Sequence, residues 1–473
     1  MTTNVEALAA FTADTRFEDL PPAVVQEAKR LLVDSIGCGL GGLSHPKGAI
    51  GVKYAAVLGP GAPGEQATII GTGERVSAVG AAFANGELIN ALDFDAVLPP
   101  GHVSPYVIPP ALAAAEGAKA SGRSLLAAVA ISHEMTNRIG KSMSALRDTK
   151  DGKASPPAVF GFSQSIFGAA AGVGKVKGLS KETIAAALGI AGSMSPVQSQ
   201  WSWSVHVPTA TVKYGLAGAV TQAAMAASSL AELGHTGDIQ MLDDGEFGYS
   251  RMIGSTRWTP ERMMANLGKE WFFIPEQVYK LYPHCRILSA PLDVLRELVE
   301  KNDIKPSEIE GIKAWVEGFV MEPLWLNRKI DHVTQVQFSM AHGLSVGAHR
   351  VPPGKAWQSP EVVNDPSIMA LMDKIEFEVH PEYAKLLNEH PASRPTRIEV
   401  RARGTTFVGE KRFPRGGATP DPATFVTDDE LSRKFVVNAE GVLSARTTDA
   451  ILQQLWSLEK VDDVGRVMAL FQK

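Results

Sequence analysis

Cysteine is nearly absent from this chain: two of 473 residues, Cys38 and Cys285. Two widely separated thiols form no disulfide framework, which fits a reducing compartment. They also cannot hold a four-thiolate iron–sulfur cluster, nor a three-thiolate cluster with an open iron. Cys38, within LLVDSIGCGLGG, reads as a small buried hydrophobe. An excess of basic charge is missing too. The net charge of -5 argues against a nucleic-acid partner, which needs a concentrated basic face. A local cluster of cations for an anionic substrate remains compatible with it. No run reaches the roughly 18 apolar residues of a membrane span, and MTTNVEALAAFTADTRFEDL has no basic leader segment. We therefore expect no membrane partner and a cytoplasmic location. HExxH, paired CxxC and GxSxG are absent, so zinc hydrolysis and serine acyl transfer have no support, and neither a metal nor a cofactor is expected.

Two glycine-rich stretches imitate nucleotide sites without meeting their requirements. GTGERV from Gly71 lacks the third glycine of a dinucleotide fingerprint. AAAGVGKVKG has Ala169 where a P-loop needs glycine and Val176 after Lys175, so it reads as a helix end with a glycine cap.

Hydrophobic residues at 45% and charged residues at 21% define an ordinary globular chain, long enough for two or three domains. From about Pro21 to Leu267 the periodicity is helical almost throughout, with predicted helices over 77–91, 109–119, 124–139, 164–176, 181–192 and 209–233. Their Ala/Gly-rich faces carry few charges, which predicts tight packing inside a large domain or at a subunit interface. The pattern changes near Trp271. Strand-like alternation appears over 309–318, 375–379 and 397–403, with a hairpin about Gly404 and helices over 290–301 and 333–347. Thr427-Asp-Asp-Glu430 has capping-box spacing, and helices are predicted over 447–457 and 461–471. The fold class expected is mainly α. An all-helical domain over 1–267, joined by C-terminal helices over 427–473, would carry a smaller α+β domain over 268–426.

Four islands place polar residues in apolar surroundings. NALDFDAVLPPGHVSPYVIPPALAAA sets Asp93, Asp95 and His102 about a Pro-Pro-Gly turn ahead of an alanine-rich helix. TATVKYGLAGAVTQAAMAA carries Lys213 alone among small residues, where a lysine must snorkel out, pair or be used. YKLYPHCR brings Lys280, Tyr282, His284, Cys285 and Arg286 to a proline turn, and DHVTQVQFSMAHGLSVGAH carries His332, Ser339 and His342. Two acids and an imidazole suit proton transfer on a small acidic molecule, and the cations suit its carboxylates.

In this order, and over nearly the whole chain, the islands resemble the MmgE/PrpD family of 2-methylcitrate dehydratase, cis-aconitate decarboxylase and iminodisuccinate epimerase. NGELINALDFD, the HxSPxxxPPALAAAEGAKASG run, LGIAGS and VKYGLAGAVTQAA carry the resemblance. It implies a large helical domain with an α+β lid, a homodimer, and an active site between the domains. It points to Asp93, His102 and Lys213 as active-site positions and to Lys280 as the lysine before the proline turn. The chain departs from the family in places. The decarboxylases have a histidine two places after that proline, where this chain has Cys285. GFHPT becomes Gly161-Phe-Ser163-Gln-Ser, an acid after DFD becomes Ala96, and the tyrosine of FSxPY becomes His342. The lining that faces substrate is thus expected to differ.

The expectation is a cofactor-independent lyase acting on a small di- or tricarboxylate by proton abstraction next to a carboxylate. Dehydration is favoured, with epimerisation, decarboxylation and a non-catalytic carboxylate-binding role as alternatives. Catalysis falls to His102, Asp93 and Lys213; Asp95, Lys280, Tyr282, His284, Cys285, Arg286 and His342 are expected to contact substrate. His102 has a turn-capping role as its alternative and Asp93 an N-cap role. Trp201, Trp203 and His206 suit either a pocket wall or a core.

Overall fold

The computed structural model describes residues 2–62, 64–99, 101–143, 148–150, 153–155, 162–197, 205–255 and 257–472. Among the described residues the long helices before the change in sequence character are α1 (Asn4–Asp14), α2 (Pro22–Gly42), α3 (Pro46–Val57), α4 (Ala78–Asn90), α5 (Ser104–Gly117), α6 (Gly122–Met143), α7 (Ser165–Lys177), α8 (Lys181–Ser193) and α9 (Ala217–Glu232), and short helical turns follow at Tyr249–Met252 and Pro260–Met264. Small residues set their spacing. A Cβ on Gly168 of α7 would fall 2.2 Å from Thr136 Oγ1 of α6, so these two helices pack with no room for a side chain there. Burial on nearly every face of α4 and α5 follows from their scarcity of charge, while α6 hides Glu134 and Arg138 by pairing them with each other. Among the described residues no helix is long and apolar enough to cross a membrane.

In the first part the short strands β1 (Gln66–Thr68) and β2 (Arg75–Ser77) pair with each other, as do β3 (Val97–Leu98) and β4 (Gly101–His102). The second part is mixed, as its alternating pattern predicts. Strands β5 (Ile309–Val316), β6 (Ile375–Val379), β7 (Thr396–Ala402) and β8 (Thr405–Lys411) form one sheet in the order β8-β7-β5-β6. β8 pairs with β7 and β7 with β5 antiparallel, while β5 and β6 run parallel. The β7–β8 hairpin turns on Arg403 and Gly404, both at positive φ, as a tight right-twisted connection demands. α10 (Ser289–Lys301) covers the sheet, and α11 (Met340–Ala348) packs beside it.

The last segment returns to the helical part. α12 (Asp428–Ala439) begins at the Thr427 capping box and lies along α2; α13 (Ala445–Trp456) also contacts α2. A Cβ on Gly37 would lie 3.0 Å from the Phe435 backbone, which explains glycine in the DSIGCGLGG run.

Three elements depart from the expected spans. α5 starts at Ser104, five residues early, and contains Pro109 and Pro110. The helix expected over 333–347 is a 3₁₀ turn at Val333–Gln337 followed by α11, which Ser339 caps through the His342 N–H. The helix expected from 209 starts only at Ala217, because Lys213 and Gly215 take positive φ (54° and 143°) and close a turn ahead of it. Trp201 and Trp203 lie outside the described residues, and His206 is exposed.

Candidate active site

The end of α4 and the loop after it build the centre. Asp93 takes φ 54°, a left-handed conformation that aspartate tolerates at a cost of about 1–2 kcal/mol. This bend turns the Asp93 and Asp95 side chains into the protein, and both are fully buried. β3 (Val97–Leu98) pairs antiparallel with β4 (Gly101–His102), so His102 folds back beside the two acids. Its Nδ1 is 2.5 Å from Asp95 Oδ2, and its Nε2 is 3.5 Å from Asp93 Oδ1. The stronger contact is thus with Asp95, which the sequence reading had placed against substrate.

Backbone pairing delivers Lys280. Val97 and Val278 exchange N–H···O bonds of 2.8 and 2.9 Å, tying the hairpin to the chain just before the proline turn. From there Lys280 Nζ donates to the Asp93 carbonyl and to Asp93 Oδ2, both at 2.9 Å. The left-handed turn at Lys213 sends its Nζ to Asn90 O at 2.6 Å, Gln337 Oε1 at 2.8 Å and Ala91 O at 3.3 Å. It comes within 3.8 Å of Asp93 Oδ1. The imidazole and this amine therefore meet at one carboxylate oxygen, and Asp93 Oδ1 accepts no hydrogen bond among the described residues. Tyr214 donates to Asp93 Oδ2 at 3.3 Å.

Electrostatics follow from burial and these contacts. Burial alone would raise the Asp93 carboxyl, but Lys280, Lys213 and His102 outweigh it and hold the group below the usual carboxylate range. Burial is also the largest influence on Lys213. With Lys47 adding to it and Asp93 opposing, the ammonium is pushed down to about 7. A lysine in that state can bind an anion or exchange a proton at neutral pH.

The other candidate positions divide. Cys285 is buried close to Asp93 and Lys280; burial pushes its thiol up, and its backbone N–H donates to Gln337 O at 2.8 Å. No thiolate is favoured there. His284 lies against Ser339 O through Nε2 at 3.2 Å, and burial lowers it to about 4. His342 on α11 is lowered to about 3, burial first and then His284, and its Nε2 has no hydrogen-bond partner among the described residues. Tyr282 points elsewhere, donating to Asp293 Oδ1 of α10 at 2.9 Å. Arg286 is half-buried and lines a cleft of about 820 Å³ with Lys141, Arg262 and Phe272 on one side and His390 and Pro414 on the other. Among the described residues no three His, Cys, Asp or Glu side chains are grouped to hold a metal ion.

Several residues at the site escaped sequence reasoning. Gln337, within the fourth island, accepts from Lys213 and donates to Ala91 O and Gln358 Oε1, both at 2.7 Å. Gln358 donates in turn to Leu92 O at 2.7 Å and Pro283 O at 2.9 Å. Lys434 of α12 is buried and binds Asp34 Oδ1 at 2.7 Å, Phe94 O at 2.6 Å and Lys280 O at 3.0 Å. Asp34 Oδ2 accepts the Ala96 N–H at 3.0 Å. The only signal for this last pair was a carboxylate inside the apolar LLVDSIG run.

Similar proteins bear on this arrangement. A cis-aconitate decarboxylase of Homo sapiens is 25% identical over 491 residues, covering 99% of this chain and 94% of that protein. The cis-aconitate decarboxylase-like protein oryM of Aspergillus oryzae is 26% identical, covering 99% of this chain and 97% of its own length. The Mus musculus cis-aconitate decarboxylase is 24% identical, with coverage of 99% and 93%. Residues 6–261 match the MmgE/PrpD N-terminal domain and residues 282–458 the MmgE/PrpD C-terminal domain, a family of enzymes, and on this evidence the chain belongs to the MmgE/PrpD family.

Proposed function

We propose that the protein is a lyase that removes a proton next to a carboxylate of a small di- or tricarboxylate and expels a β-hydroxyl as water. The observation that carries this reading is the meeting of His102 Nε2 and Lys213 Nζ at Asp93 Oδ1, 3.5 and 3.8 Å away, in a buried cluster of charged groups. Asp95 keeps Nδ1 of His102 protonated, so Nε2 is the base. The C–H electron pair moves towards the adjacent carboxylate, and Lys213 and Lys280 stabilise the charge that builds there. This is the kind of fixed electrostatics that contributes several kcal/mol in a site without water. The C–O bond then breaks, the double bond forms, and the proton held by His102 leaves with the hydroxide as water. In this reading the segment 268–426 acts as the lid over the helical domain of 1–267 and 427–473, and Gln337 and Gln358 register the lid on the Ala91–Leu92 backbone.

Decarboxylation is the second reading, favoured by the names of the relatives. It uses the same carboxylate anchors, with His102 protonating the carbon that loses carbon dioxide. Proton NMR in heavy water with hydroxy-diacids, 2-methylcitrate and cis-aconitate separates the two. An alkene product from a hydroxy acid, seen as a vinyl signal or, from 2-methylcitrate, as an allylic methyl singlet, supports dehydration. Carbon dioxide release from cis-aconitate alone moves the assignment to decarboxylase. Racemisation without water loss marks an epimerase, and tight binding with no exchange at carbon marks a carboxylate-binding protein.

A further inference from the structure

A cavity of about 300 Å³ meets the charged cluster at Tyr214 and is lined mostly by hydrocarbon. Phe162, Val212, Leu216 and Val220 contribute to its wall, and its polar lining residues are Ser163, Tyr106 and Tyr214. Tyr214 belongs to both places. Its ring walls the cavity and meets the His102 ring at 4.5 Å, tilted by 33°, while its hydroxyl reaches Asp93. Phe162 stacks on Tyr106 at 5.5 Å and meets the His102 ring at 5.9 Å. Val197 and Leu216 line the cavity although 65% and 42% exposed, so apolar surface is left in water.

One polar atom in this wall has nothing to bind. The Tyr106 hydroxyl is buried and has no hydrogen-bond partner among the described residues. Burial pushes its ionisation well above the ordinary range, with Asp95, Glu87 and Asp93 adding to it, so it stays a neutral donor close to the acids. An unmet buried hydroxyl costs free energy, and a ligand oxygen beside it would recover that cost. The charged cluster and the apolar cavity share a wall of three aromatic rings with one donor to spare.

Resting on the function proposed above, we propose that the cavity is a subsite for a hydrocarbon arm of the substrate. The natural acid would then be a dicarboxylate bearing a short alkyl or aryl substituent rather than an all-polar tricarboxylate. Lys213 and Lys280 hold its carboxylate, the arm lies against Phe162, Val212 and Val220, and the Tyr106 hydroxyl donates to an oxygen between the two. The volume, at the lower end of the roughly 300–1,000 Å³ of small-molecule pockets, limits the arm to a small group.

Binding of unreactive probes tests this apart from catalysis. Isothermal calorimetry would follow succinate, 2-methylsuccinate, 2-propylsuccinate and 2-phenylsuccinate with the intact protein. Affinity should rise by about tenfold or more from succinate to the propyl compound, since each methylene moved from water into an apolar pocket adds several-fold. Ala223→Phe, which fills the cavity from α9, should remove that gain in proportion to arm length. Tyr106→Phe should weaken all the acids while keeping the trend. Affinity flat or falling with arm length overturns the subsite, even if hydroxy acids are turned over. Failure of turnover with the length trend intact overturns the reaction and leaves the subsite standing.

Discussion

Asp95 Oδ2 lies 2.5 Å from His102 Nδ1, and this contact orients the imidazole so that Nε2 faces Asp93 Oδ1. The two acids of the DFD triplet therefore have separate tasks. Asp95 holds the histidine, and Asp93, gripped by Lys280 and close to Lys213, joins it to the amines.

Removing the proposed proton carrier should sharply lower turnover without unfolding the chain. His102→Gln is expected to lower kcat by about 10²–10⁴-fold with an unchanged circular dichroism spectrum. Asp95→Asn, which keeps the shape but loses the charge that favours one tautomer, should lower kcat by about 10²-fold with little change in KM. Steady-state kinetics of the two variants checks both. A fall in KM-controlled binding alone would contradict the assignment.

Lys213 gives a pH signature. Its ammonium is lowered from an ordinary 10.5 to about 7, so the free enzyme loses this cation as pH rises through neutrality. kcat/KM for a dicarboxylate should fall on an alkaline limb near 7, and Lys213→Arg should move that limb well upward, because arginine stays charged. Stability carries the opposite trend. Between about 7 and 10.5 the unfolded chain holds a proton that the folded chain has released, so the stability of the wild type relative to Lys213→Met should rise with pH across that window. Urea denaturation at several pH values measures it.

The buried pair of Lys434 and Asp34 should act on stability and on the site together. Lys434→Met strands the Asp34 charge and is expected to cost about 3–5 kcal/mol. Lys434→Met with Asp34→Asn should recover part of that loss. Because Lys434 also binds Phe94 O and Lys280 O, the double variant should still lose kcat. Thermal denaturation and kinetics of the single and double variants read the two effects separately.

Both thiols should be inert in the native protein. Burial pushes Cys38 well above its ordinary range and Cys285 upward, so neither supplies thiolate at neutral pH. Iodoacetamide followed by mass spectrometry should label them only when the chain is unfolded. Rapid native labelling of Cys285 with loss of activity would mark it as an accessible reactive group instead.

Periodicity alone determined most of the elements. A strand such as β7 shows its buried face every second residue, and helices such as α7 and α8 lie within two residues of their expected spans, because backbone propensity and one-sided burial are local properties. The polar islands were legible for the same reason, since an acid or lysine among alanines stands out along the chain. Lys213 was found but misplaced on a helix; its left-handed turn is set by the pull of Asn90 O, Ala91 O and Gln337, which lie far away in sequence. Which of two neighbouring aspartates holds His102 is decided by the φ of Asp93 and the short β3–β4 hairpin. The roles of Gln337, Gln358 and Lys434 likewise exist only once α12 and the second part close on the α4 loop. Composition and spacing fixed which side chains must be hidden from water. Packing chose their partners, because a buried charge is stable only where distant segments bring it a counter-charge or a hydrogen bond.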